Sequence, residues 1–91
     1  MSFKLVFTES YSKAALRWLK KHSDLKNQYL KTLKLLEANP HHPALSLHAL
    51  KGKLHGLHSV SINISYRITL EFILKDEEII LINVGDHDQV Y

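Results

Sequence analysis

The sequence predicts an α+β domain of order β-α-α-β-β-β, in which a helical hairpin packs on one face of a mainly antiparallel four-stranded sheet. Three observations carry this prediction. Apolar and polar residues alternate almost throughout Phe3-Lys4-Leu5-Val6-Phe7 and again around Val60. Between those strand patterns, apolar residues recur at helical spacing from Tyr11 to Leu36. Two further apolar runs, Arg67 to Leu74 and Glu78 to Val84, flank an acidic turn.

The Phe3 to Phe7 alternation makes the first strand. Thr8 and Ser10 follow as residues whose side-chain oxygens cap a helix N-terminus. Tyr11, Ala15, Trp18, Leu19 and His22 then fall on one helical stripe. Ser23-Asp24 reads as the cap of a second helix, which carries Leu25, Tyr29, Leu33 and Leu36. Asn39-Pro40-His41-His42-Pro43 ends that helix, because proline lacks an N–H and restricts the residue before it. A loop is expected through His48-Ala49-Leu50-Lys51-Gly52-Lys53-Leu54-His55-Gly56-Leu57. Val60, Ile62 and Ile64 next alternate with Ser59, Ser61, Asn63 and Ser65, the pattern of a half-buried second strand.

The last two strands form a hairpin about Asp76-Glu77-Glu78, a loop without the glycine such loops usually carry. Setting Arg67 opposite His87 places Leu70 opposite Val84, Phe72 opposite Ile82 and Leu74 opposite Ile80, so that all six apolar residues share a face. A slip by one residue would bring Asn83 and Gly85 to that face, so the first register is the one expected.

Residues 1–91 make one domain, with no internal repeat, linker or low-complexity tract. The absence of cysteine excludes a disulfide framework and thiolate metal sites. No apolar run approaches the roughly 20 residues that span a bilayer, and the Met-Ser-Phe-Lys start lacks a signal-peptide core, so the expected location is the cytoplasm. The net charge of +3 is split: residues 1–58 hold ten Lys/Arg against Glu9, Asp24 and Glu37, while residues 59–91 hold Arg67 and Lys75 against six acids. A basic face on a small domain attracts RNA phosphates or an acidic protein segment; a pair of helices with solvated lysines produces the same count.

The strand and helical hairpin, the His-Ala-Leu-Lys-Gly segment, the Tyr-Arg-Ile strand start and the Gly-Asp-His near the end resemble the RelE/ParE superfamily of bacterial toxins, and within it the YafQ-like branch of messenger-RNA endonucleases. The resemblance implies a toxin of a type II toxin–antitoxin pair that cleaves mRNA on the ribosome without metal or other cofactor. It also implies a cognate antitoxin as partner in a hetero-oligomer. Carried over by position, the family's strand arginine falls on Arg67, its terminal histidine on His87, its C-terminal aromatic on Tyr91 and its loop histidine on His48. Ser61, Ser65 and Asn83 stand where the YafQ-like site has further charged or titratable residues. Two other readings belong to the same superfamily: a ParE-like inhibitor of DNA gyrase, and a catalytically degenerate member that binds only antitoxin or RNA.

Metal-free RNA cleavage needs a base for the 2′-hydroxyl, an acid for the leaving 5′-oxygen and a cation for the phosphorane. His48 and His87 have the chemistry of base and acid, in either order, and Arg67 that of the phosphate clamp. Arg67 has a competing partner in Glu71, two residues along its strand. Tyr91 and Tyr66 offer rings for a base, while Lys51, Lys53, His55 and His58 are candidate RNA contacts. His55-x-x-His58 sits in a glycine-containing turn whose geometry does not converge on a metal, and no metal site is expected.

Overall fold

Thr8 sets the junction between the first strand and the first helix. The computed structural model describes residues 3–73 and 76–86; there, Thr8 has an extended backbone and its hydroxyl accepts the Tyr11 N–H at 3.1 Å. One of the orphan donors of the helix start is thereby satisfied. Strand β1 (Lys4–Phe7) precedes this cap and helix α1 (Glu9–Lys21) follows it.

Helix α2 (Lys26–Ala38) starts differently from expectation. Ser23 and Asp24 do not cap it; with Leu25 they form a 3₁₀ turn, and no side chain caps α2. The Leu25 N–H already bonds the His22 carbonyl at 2.9 Å, so the hairpin turns too tightly to leave an extended capping residue. Asn39 is extended ahead of Pro40, and α2 ends there as the prolines require.

The sheet has five strands in the order β1-β5-β4-β3-β2, where β2 is His48–Ala49, β3 is His58–Ser61, β4 is Tyr66–Ile73 and β5 is Glu78–Asp86. Strand β1 runs parallel to β5, and the other pairs are antiparallel. The strand absent from expectation is β2. Two residues show no periodicity of their own, and only their pairing with Ser59 and His58 makes them a strand.

Strand β3 is shorter than its alternation suggests. Ile62 is buried, but Ile64 is 96% exposed in the turn between β3 and β4. The Asn63 carboxamide oxygen accepts the N–H groups of Ser65 at 2.8 Å and Tyr66 at 3.0 Å, which bends the chain before Ile64 can join the sheet.

The hairpin register also differs. Arg67 lies opposite Gly85, not His87; Ile68 faces Val84, Leu70 faces Leu81 and Phe72 faces Ile79. Ile82 is an extra residue, inserted where the register shifts between Thr69 and Leu70. The expected register assumed unbroken alternation and so had to bury Ile80, Ile82 and Val84 together. With the bulge, Ile79, Leu81 and Val84 are buried instead, and Asn83 stays exposed. At the tight end, Glu77 takes the left-handed conformation (φ 54°) that a glycine would ordinarily supply.

Both helices pack against one face of the sheet. Tyr11, Ala15 and Trp18 of α1 and Tyr29 and Leu36 of α2 join Val60, Ile62, Ile68, Leu70, Ile79, Leu81 and Val84 in one core. Within it, the Tyr11 and Tyr29 hydroxyls share a hydrogen bond of 2.8 Å, and burial raises the pKa of both phenols. The folded state therefore holds these protons more tightly than the unfolded chain. Their contribution to stability is complete below the ordinary tyrosine value near 10 and declines as pH rises through it. Chemical denaturation should show stability falling above about pH 10, and the fall should shrink in Tyr11→Phe/Tyr29→Phe. Tyr11→Phe alone should cost about 1–2 kcal/mol by leaving one buried hydroxyl without its partner, and the double variant less than the sum of the singles.

Candidate functional site

The face of the sheet away from the helices carries the residues on which the expected chemistry rests. Cross-strand partners share a face, so Ser61, Arg67 and Gly85 lie together there, and His48, Ser59 and Thr69 form the neighbouring row. Arg67 thus sits at the start of β4 between a hydroxymethyl group and a glycine, and its bulk meets little obstruction from either neighbour. It is half-buried. His48 lies two strands away and two residues along, a Cα separation of roughly 12 Å by sheet geometry.

His48 is exposed, and its Nδ1 lies 3.2 Å from the Ser46 carbonyl. A carbonyl only accepts, so this bond requires the proton on Nδ1 and leaves the lone pair of the neutral ring on Nε2. Ser46 itself is left-handed (φ 47°), which turns the chain into β2. Beyond β2, Leu50 N–H donates to the Leu57 carbonyl at 2.9 Å and closes a loop presenting Lys51, Lys53 and His55 to solvent. Gly52 (φ 66°) and Gly56 (φ 96°) supply the left-handed turns this closure needs.

Two further candidates face the other way. His58 is opposite Leu70 and its ring meets the edge of Phe72 at 5.0 Å, on the helix side of the sheet. Tyr66 precedes Arg67 and therefore projects to the opposite face, where it packs against His22 and Trp18. His55 is exposed while His58 packs on Phe72, and among the described residues no three His, Asp or Glu side chains group as a metal would require. His87 and Tyr91 lie outside the described residues, which end at Asp86.

Sequence reasoning missed a cleft of about 490 Å³ between α1 and the ends of β4 and β5. Arg17, Lys21 and His22 line it from the helix, and Tyr66, Asn83 and Asp86 from the strands. The available signal was the i, i+4 spacing of Arg17 and Lys21 beside the buried Trp18, but only the fold brings Tyr66 and Asp86 to that stripe.

No family profile matches the sequence, and no curated protein matches it either. Solved structures do match in shape. The DinJ–YafQ toxin–antitoxin complex of Escherichia coli superimposes with a TM-score of 0.76 at 16% identity, over 100% of this chain and 99% of that one. The chain has the RelE/ParE-like toxin fold. A YoeB/ParE toxin from Agrobacterium tumefaciens shares the fold with a TM-score of 0.72 at 18% identity, covering 93% of this chain and 99% of that one. So does a copper-bound mutant toxin from Helicobacter pylori, with a TM-score of 0.67 at 27% identity over 98% and 99%. In this RelE/ParE-like frame the loop closed by Leu50 and Leu57 holds two lysines beside the strand that carries His48. If Lys51 and Lys53 each neutralise one phosphate, Lys51→Ala/Lys53→Ala should reduce the slope of log affinity against log salt for a single-stranded RNA by about 1.4. Fluorescence anisotropy at several salt concentrations measures this slope.

Proposed function

We propose that the protein is the toxin of a type II toxin–antitoxin pair and that it cleaves messenger RNA on the ribosome without metal. The observation that carries this reading is the placement of Arg67 on the helix-free face of the sheet, between Ser61 and Gly85, with His48 on the same face. A phosphodiester lying across that face meets a guanidinium and an imidazole at once. The full-length likeness to YafQ in its antitoxin complex supports the same reading.

The chemistry assigns one role to each group. His48, protonated on Nδ1 by its bond to Ser46, takes the 2′-hydroxyl proton at Nε2. The 2′-oxygen attacks phosphorus, the bond to the 5′-oxygen breaks, and the message is left with a 2′,3′-cyclic phosphate. Arg67 stabilises the charge that builds on the equatorial oxygens, because its planar donors match phosphoryl oxygens in pairs. His87 is the family's candidate for the acid that protonates the leaving oxygen, and Tyr91 for its aromatic companion. The excess of lysine and arginine on α1 and α2 suits an acidic antitoxin segment lying across the helices. One observation favours binding without cleavage: an uncharged serine, Ser61, stands opposite Arg67 where YafQ-like sites have a titratable residue.

Induction without an antitoxin should arrest growth, and transcript ends should map within translated messages. In single-turnover cleavage on programmed ribosomes, Arg67→Ala should lose about 3–4 kcal/mol of transition-state stabilisation. His48→Gln should also lose most of the rate, and the double variant should lose less than the two losses combined. Growth arrest with intact transcripts would overturn the nuclease and favour the gyrase reading.

A further inference from the structure

The cleft beside α1 lies on the opposite side of the sheet from Arg67 and plays no part in the chemistry above. It combines three kinds of group. Arg17 and Lys21 form no ion pair among the described residues and stand one helical turn apart on its rim. His22 and Tyr66, both half-buried, have ring centroids 4.5 Å apart, and Trp18 backs them at 5.0 Å from His22 and 5.4 Å from Tyr66. Asp86 closes the strand side with a carboxylate.

We propose that this cleft binds a ribonucleotide unit, with its base against the His22–Tyr66 rings and its phosphate between Arg17 and Lys21. The components discriminate among anions. Free phosphate would use the cations and leave the rings idle. An acidic peptide would meet Asp86 as a like charge, whereas ribose hydroxyls donate to a carboxylate. Trp18, 7% exposed, forms part of the cleft wall behind the two rings. The volume of about 490 Å³ suits one nucleotide and excludes a duplex. Tyr66 is thereby an RNA-contacting residue on a different surface from Arg67, and a strand bound at both must pass around the end of the sheet.

Trp18 is the only tryptophan in the chain, so its fluorescence reports this cleft alone. The purified full chain is titrated with adenosine 5′-monophosphate, with inorganic phosphate and with a single-stranded hexaribonucleotide. The monophosphate should give a saturable change, and inorganic phosphate should bind at least about tenfold more weakly. Arg17→Ala/Lys21→Ala, which removes only exposed side chains, should weaken the monophosphate by about tenfold or more. Tighter binding of the hexamer identifies the message as the source of the nucleotide; tighter binding of the monophosphate identifies a free nucleotide. No saturable Trp18 response to any probe, phosphate binding as tight as the monophosphate, or an unchanged affinity in the double variant would overturn the inference. The titration involves no strand scission, so its failure and the failure of the nuclease reading are separate results.

Discussion

Opposite the step from Thr69 to Leu70, strand β5 carries one residue more than the ladder needs, and its phase changes there. Before the bulge the buried positions are Ile79 and Leu81; after it they are Val84 and Gly85. Unbroken alternation from Leu81 would turn Asn83 into the core and leave a carboxamide to be satisfied among apolar side chains. The inserted Ile82 prevents this and sets Gly85 opposite Arg67. The same insertion thus completes the core and clears a place for the arginine. Bulges recur where a strand must re-aim its side chains beside a functional residue.

Most of the architecture is legible because the helices and outer strands obey a single period. Thr8 caps where its oxygen can reach, the Tyr11–Ala15–Trp18 stripe buries as its spacing requires, and the prolines end α2. The parts that are not legible break that regularity. Strand β2 is two residues long, Ile64 continues an apolar alternation past a turn made by Asn63, and the bulge at Ile82 shifts a register that alternation alone sets wrongly. In each case a tertiary partner overrides the local pattern. The site divides along the same line: Arg67 falls on β4 as its strand pattern requires, whereas His48 joins its face only through the pairing of β2 with β3, and Tyr66 and His58 belong to the other side of the sheet.

That division gives β4 two chemical surfaces. Tyr66 and Arg67 are neighbours in sequence and face opposite sides of the sheet, one into an aromatic and cationic cleft and the other onto the helix-free face, where Ser59 and Thr69 are buried and Arg67 is half-buried. A sheet roofed by helices on one face only is what allows both.

Strand β5 lies between β1 and β4, so the earliest described strand finds its only sheet neighbour in the latest one. Until residues 78–86 have left the ribosome, β1 has nothing to pair with and the apolar faces of both helices lack Ile79, Leu81 and Val84. The helical hairpin draws only on residues 9–38, whereas the sheet is complete only with residues 78–86 in place. Closure of the fold, and with it the seating of Arg67 opposite Gly85, depends on the contact between the first and last described strands, which are far apart in sequence.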